Sequence, residues 1–137
     1  MKTAAKYRAK PKIAVGYFIL MAMVVLLTVG KWYGAISGNF ILLTDEVYSH
    51  ISNFSLSIIF CLGIGHLWLL YGVKFRNIVI FGLVMIAANF ICETLMPFIN
   101  IIDIMDAVYG TIGVFISITY LFIVKKCGLV EKSVKAD

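Results

Sequence analysis

Three carboxylates and a histidine stand out in a chain with few charges of any kind. Glu93 closes one apolar run, Pro97 follows it, and Asp103 and Asp106 lead into another. Earlier, His50 lies four residues after Glu46, near the start of a long apolar stretch. Carboxylates with a histidine can hold a polar headgroup, a sugar, a peptide or a cation. They can also ligate a divalent metal, although no tight ligand motif is present and a metal assignment stays open. The candidate ligand-binding set is therefore Glu46, His50, Glu93, Asp103 and Asp106. The plain alternative is that these groups are interfacial charges and helix-end hydrogen bonds that fix the fold. Proton transfer or hydrolysis is a third reading. The chain has no G-x-S-x-G, H-E-x-x-H or S-x-x-K, so no catalytic residue is assigned and no cofactor is expected.

The spacing says which elements must carry these groups. Asp106, Gly110, Gly113 and Ser117 recur at steps of four, three and four, which places one acid above a helix-packing stripe of small residues. Gly82, Ile86, Asn89 and Glu93 share a face of the preceding helix, and Glu46, His50, Ser57 and Cys61 share a face of an earlier one. His50, Glu93 and Asp106 each lie about one turn from a helix end, so the three are expected at similar depth. Ionisable groups at such depth turn inward and pair. Glu93 and Asp106 are expected in one site with His50 as their neighbour. His66 comes 16 residues after His50, roughly 160° around the helix, and is expected to be neutral and hydrogen-bonded to another helix.

Composition names the solvent. The 137 residues are 62% hydrophobic and only 14% charged, with a mean hydropathy of +1.01. A soluble domain of this length needs more polar surface, so an all-α polytopic membrane protein is predicted. The net charge of +5 does not signal nucleic acid, because the basic residues sit in short flanks beside apolar runs. Of the three cysteines, Cys61 and Cys92 lie within apolar runs and read as small packing residues; Cys127, after Lys125 and Lys126, reads as an unmodified thiol with acylation as the rival.

Residues 1–12 form a basic arm suited to anionic headgroups. A four-helix transmembrane domain over 13–126 and a polar, frayed tail over 127–137 follow. Ile13 to Gly30 is a retained first span, with a cleavable signal peptide ending near Ala35-Ile36-Ser37 as the rival. Lys31 to Leu43 is predicted to be a linker whose Phe40–Leu43 part lies in the interface. Thr44 caps a second helix that runs to about Val73, and Lys74 and Arg76 mark a short turn. The third span is predicted at Ile78–Met96 and the fourth at Ala107–Val124. Eleven of the twelve basic residues fall in the arm, that turn and the tail, and Lys31 is the exception. Both termini are therefore expected in the cytoplasm, with five of the seven acids toward the outer face.

These residues resemble the VanZ-like family of small bacterial membrane proteins over roughly residues 44–120. That family pairs an acid with a histidine four later, ends a later helix in glutamate, and continues with R-x-x-D-x-x-D-x-x-x-N-x-x-G-x-x-x-G. Glu46 and His50, then Glu93, then Asp103, Asp106 and Gly113 match in register. Asn100 stands in place of the arginine, Gly110 in place of the asparagine, Ser117 in place of the last glycine, and Met96 where glutamine is common. If the arginine normally neutralises the acids, this chain must do so otherwise or protonate one. The resemblance implies a multi-pass protein of the bacterial inner membrane, with an outward polar site for a cell-wall precursor or lipid headgroup. It also implies a role in lowering susceptibility to the glycopeptide teicoplanin. The alternatives are a small oligomeric cation-selective pore or membrane-disrupting effector, and an accessory subunit docking a larger partner. Partners are thus the lipid bilayer, such a headgroup, and a second copy if the chain is a homo-oligomer.

Overall fold

A computed structural model describes residues 5–37, 45–95 and 103–132, with the backbone only at 35–37, 45–47 and 95. Strand β1 (Tyr7–Ala9) leads into helices α1 (Pro11–Ser37), α2 (Asp45–Leu70), α3 (Phe75–Leu95) and α4 (Ile104–Ile123). A π-helical turn (Val124–Gly128) then passes into strand β2 (Leu129–Glu131). All four α-helices are long and apolar enough to cross a membrane, over Pro11–Gly34, Tyr48–Leu70, Phe75–Thr94 and Ile104–Gly128. Five of their hydroxyls are satisfied within their own helix. Thr28, Thr94, Thr111, Ser117 and Thr119 each donate to the carbonyl four residues earlier.

Helices α2 and α4 form the centre, α3 lies against α4, and α1 lies against α2. The reason is in α4. Its buried residues Ala107, Gly110, Gly113, Val114, Ser117 and Leu121 form one stripe, and the glycines let the backbones close. A Cβ on Gly113 would stand 2.7 Å from the backbone carbonyl oxygen of Phe54 on α2. A Cβ on Gly110 would collide with the Asn89 side chain of α3. Ile58, Leu62, Leu69, Ile78, Leu121, Val124 and Val24 complete a dry core beyond the stripe.

Several expected boundaries move. The stretch from Lys31 is not a linker as far as Ser37, because α1 continues through it. The glycine and aromatic residues there do not stop a helix that is already propagating and gains contacts with α2. The Phe40–Leu43 segment, Thr44, Met96, Pro97 and Asn100 lie outside the described residues. Helix α2 ends at Leu70 in a Schellman turn: Gly72, at φ +80°, donates to Leu69 and Val73 donates to Trp68. Helix α3 starts at Phe75, three residues before the predicted Ile78.

The basic arm and the tail are not both free. Tyr7–Ala9 and Leu129–Glu131 pair antiparallel, extended by Lys10 N–H to Gly128 O and Lys132 N–H to Lys6 O. Tyr120 on α4 also donates to the Ile13 carbonyl at 2.6 Å. Over residues 128–132 backbone docking replaces the expected fraying, and 133–137 lie outside the described residues. Residues 5–10 and 128–132 thus share one end of the bundle with the α2–α3 turn. This is the basic end. Glu93, Asp103 and Asp106 gather at the opposite, acidic end.

Candidate functional site

At the acidic end, Asp103 caps α4 by accepting from the Met105 amide at 3.0 Å. That cap sets the first turn of α4, which carries Asp106 toward α2. His50, one turn into α2, is 6% exposed. Its Nδ1 lies 2.8 Å from Asp106 Oδ1 and 3.7 Å from Asp103 Oδ2. The Tyr109 ring stacks on the imidazole, with centroids 5.0 Å apart. The Asp103 side chain is 44% exposed and that of Asp106 is 19% exposed. The site therefore opens on its Asp103 side and is closed at His50.

Glu93 is 5% exposed. It accepts from Asn53 Nδ2 at 3.0 Å, one turn along α2 from His50. One further turn inward, Asn89 donates to Ser57 at 3.0 Å. Helix α2 thus presents a column of His50, Asn53 and Ser57, each bonded to a different residue of α3 or α4. Asp103, Asp106 and His50 are brought together as expected, while the Glu93 carboxylate takes Asn53. Glu46 lies on the first turn of α2, and its side chain is outside the described residues. Gly110, Gly113 and Ser117 pack as expected.

Lys31 was the one basic residue that charge counting left outside the basic flanks, and its part in this region was not foreseen. Its ammonium donates to Ser49 O at 2.7 Å and to Ser52 Oγ at 2.9 Å, and Tyr48 donates to the Lys31 carbonyl. It stands within electrostatic reach of Asp106. Its place in the helix, which the linker reading hid, is what brings it there. Asn53 was also missed. An asparagine three residues after His50 on the same helix was the available signal.

His66 differs from expectation. It is buried and stacks on Tyr17 of α1 at 4.4 Å, but its Nδ1 has no hydrogen-bond partner among the described residues. Ring stacking, rather than a hydrogen bond, holds it against the neighbouring helix. Cys61 is buried as a packing residue, whereas Cys92 is exposed on α3 and Cys127 is exposed beyond α4.

Chemically, the centre offers one imidazole nitrogen and two carboxylates. Their donor atoms all lie within 4.8 Å of one another. A hydrogen-bond donor, an amine or a divalent cation fits that set. Deeper in, Ile58, Leu62 and Leu121 belong to the buried apolar core. A separate apolar groove of about 780 Å³ runs beside α1, from Ile19 to Tyr33, with Lys31 and Tyr48 at one end. No family model, curated protein or solved structure matches the chain.

Proposed function

We propose that this is a VanZ-like protein of the bacterial inner membrane whose acidic end faces outward and binds the polar part of an envelope component. The observation that carries the reading is the convergence of Asp103 and Asp106 on the buried His50. The carboxylates favour a ligand that presents an amine or several hydroxyls, such as a cell-wall precursor or lipid headgroup. Lys31 supports the reading by supplying a cation near Asp106, in a chain with Asn100 at the arginine position of the family pattern. The basic residues support this orientation: the ribbon and the 74–76 turn share one end, and the positive-inside bias favours the cytoplasm for that end.

Two measurements test this. Single cysteines at Arg8, Lys74 and Lys132 should resist an impermeant thiol reagent in intact cells, while one at Asn100 reacts. Labelling at Lys74 from outside overturns the orientation. Expression in a glycopeptide-susceptible host should then lower its teicoplanin susceptibility, and Asp106→Asn should remove the effect at equal protein level. An unchanged response in Asp106→Asn overturns the site.

A second reading, an accessory subunit docking a larger partner, is favoured by the groove along α1. A photo-crosslinker at Leu26 would give a discrete protein adduct in native membranes under that reading. Lipid adducts alone count against it.

A further inference from the structure

The basic end carries a second concavity, unrelated to the acidic site. It measures about 550 Å³ and lies where four segments meet: the end of α2, the start of α3, the π-turn after α4, and β2. Three of its lining residues are cations, Lys74, Arg76 and Lys125, and none is an acid. All three are exposed. The aliphatic stem of Lys6 lies near Gly72, with its ammonium over the Tyr7 ring. The Lys125 ammonium sits 5.1 Å from the centre of the Phe75 ring, which holds it over the cavity. The first turn of α3 contains no acid, so nothing opposes the positive end of its dipole. Among the described residues, β2 carries one acid, Glu131, exposed and paired opposite Tyr7.

The remaining lining is apolar and includes Leu69, Val73 and Leu129. Leu69 belongs to the dry core near the end of the second candidate span, and Phe75 begins the third. The cavity therefore straddles the boundary between hydrocarbon and headgroup, with apolar lining beside its cations. A soluble phosphate would use only the cations. A phospholipid uses both, since its phosphate meets the basic residues while its glycerol and first methylenes meet Leu69 and Leu129.

We propose that this basic cavity is a binding site for the phosphate of an anionic lipid headgroup. It differs from diffuse attraction between a basic flank and a membrane because four chain segments fix the cations around one concave site. Each cation near an anionic surface contributes about 1 kcal/mol, so removing two should weaken binding ~30-fold if they act locally.

The test compares two double variants of the full chain that remove the same charge at the same end. Arg76→Gln with Lys125→Gln removes two of the three cations that line the cavity, while Arg8→Gln with Lys12→Gln leaves all three in place. Native mass spectrometry reads retention of phosphatidate against phosphatidylcholine of the same chain length. The wild type and the Arg8/Lys12 variant should retain phosphatidate, and the Arg76/Lys125 variant should lose it by ~30-fold. Equal losses in the two doubles overturn the proposal in favour of diffuse charge. Inorganic pyrophosphate is the second probe, and displacement of phosphatidate by it at comparable concentration overturns the lipid assignment. Should the Arg76/Lys125 double fail to fold, Lys74→Gln alone should weaken retention ~5-fold, and unchanged retention there overturns the site.

Discussion

At the acidic end, His50 and Glu93 are 6% and 5% exposed, and each is bonded to a side chain of another helix. At the basic end, Lys74, Arg76 and Lys125 are exposed, and no ion pair among the described residues involves them. The cation contacts at this end are with aromatic rings: Lys6 over Tyr7, Lys125 over Phe75 and Lys126 over Phe122. The difference follows from burial. A charge removed from water is kept only if it is paired, so the acidic end is a set of mutual constraints. A charge in contact with water needs no partner inside the protein and stays available to something outside it. The close packing of α2 on α4 holds the first arrangement. A backbone turn and a two-stranded ribbon hold the second.

The largest expected effect tests the close packing beneath the acidic end. Gly113→Leu should abolish the monodisperse species in detergent, because even the Cβ stands 2.7 Å from an immobile backbone carbonyl. Gly113→Ala should cost about 1–3 kcal/mol in reversible unfolding in mixed micelles. Unchanged stability in both would mean that α2 and α4 are not in contact there, and the comparison would break.

The buried pair comes next. Asp106→Asn should destabilise by about 2 kcal/mol, since it replaces a charged partner of a buried imidazole. Glu93→Gln should cost less, because glutamine keeps an amide oxygen to accept from Asn53. A double-mutant cycle sharpens this. His50 and Asp106 should couple by about 1–2 kcal/mol, whereas Glu93 and Asp106 should add to within ~0.5 kcal/mol. Coupling of equal size in both pairs would merge them into one site.

At the basic end the effects shrink. Gly72→Ala should cost about 1 kcal/mol, because the turn requires φ +80° and a Cβ would crowd Lys6. Lys74→Gln should change stability by less than ~0.5 kcal/mol, as expected of an exposed residue outside any network. A loss as large as that of Asp106→Asn would show that the basic residues, too, are structural.

The faces of the helices were legible because hydropathy and small-residue spacing are local properties. The stripe of Gly110, Gly113 and Ser117, and the inward placement of His50 and Glu93, follow from a period of 3.6 and the cost of leaving such groups in lipid. The site was legible only in outline. The spacing brought Asp103, Asp106 and His50 to one end but could not tell that Glu93 would meet Asn53. That choice depends on how far α3 is displaced along α2, which no single helix encodes. Lys31 was hidden because Trp32, Tyr33 and Gly34 read as the exit from a span. Whether a helix stops at such residues depends on contacts made after it has formed.

By itself the sequence determined that the chain makes four apolar helices, with most basic residues toward one end of the bundle and most acids toward the other. Transfer free energies and charge positions are additive along a chain, so the residues suffice for that much. Only the tertiary structure decided which acid pairs with which base, that α1 extends to bring Lys31 to the site, and that β1 and β2 close into a ribbon. It also decided that Lys125, far along the chain, joins Lys74 and Arg76 at one cavity. These are contacts between distant segments, and their geometry is settled by packing, where a shift of one turn exchanges every partner.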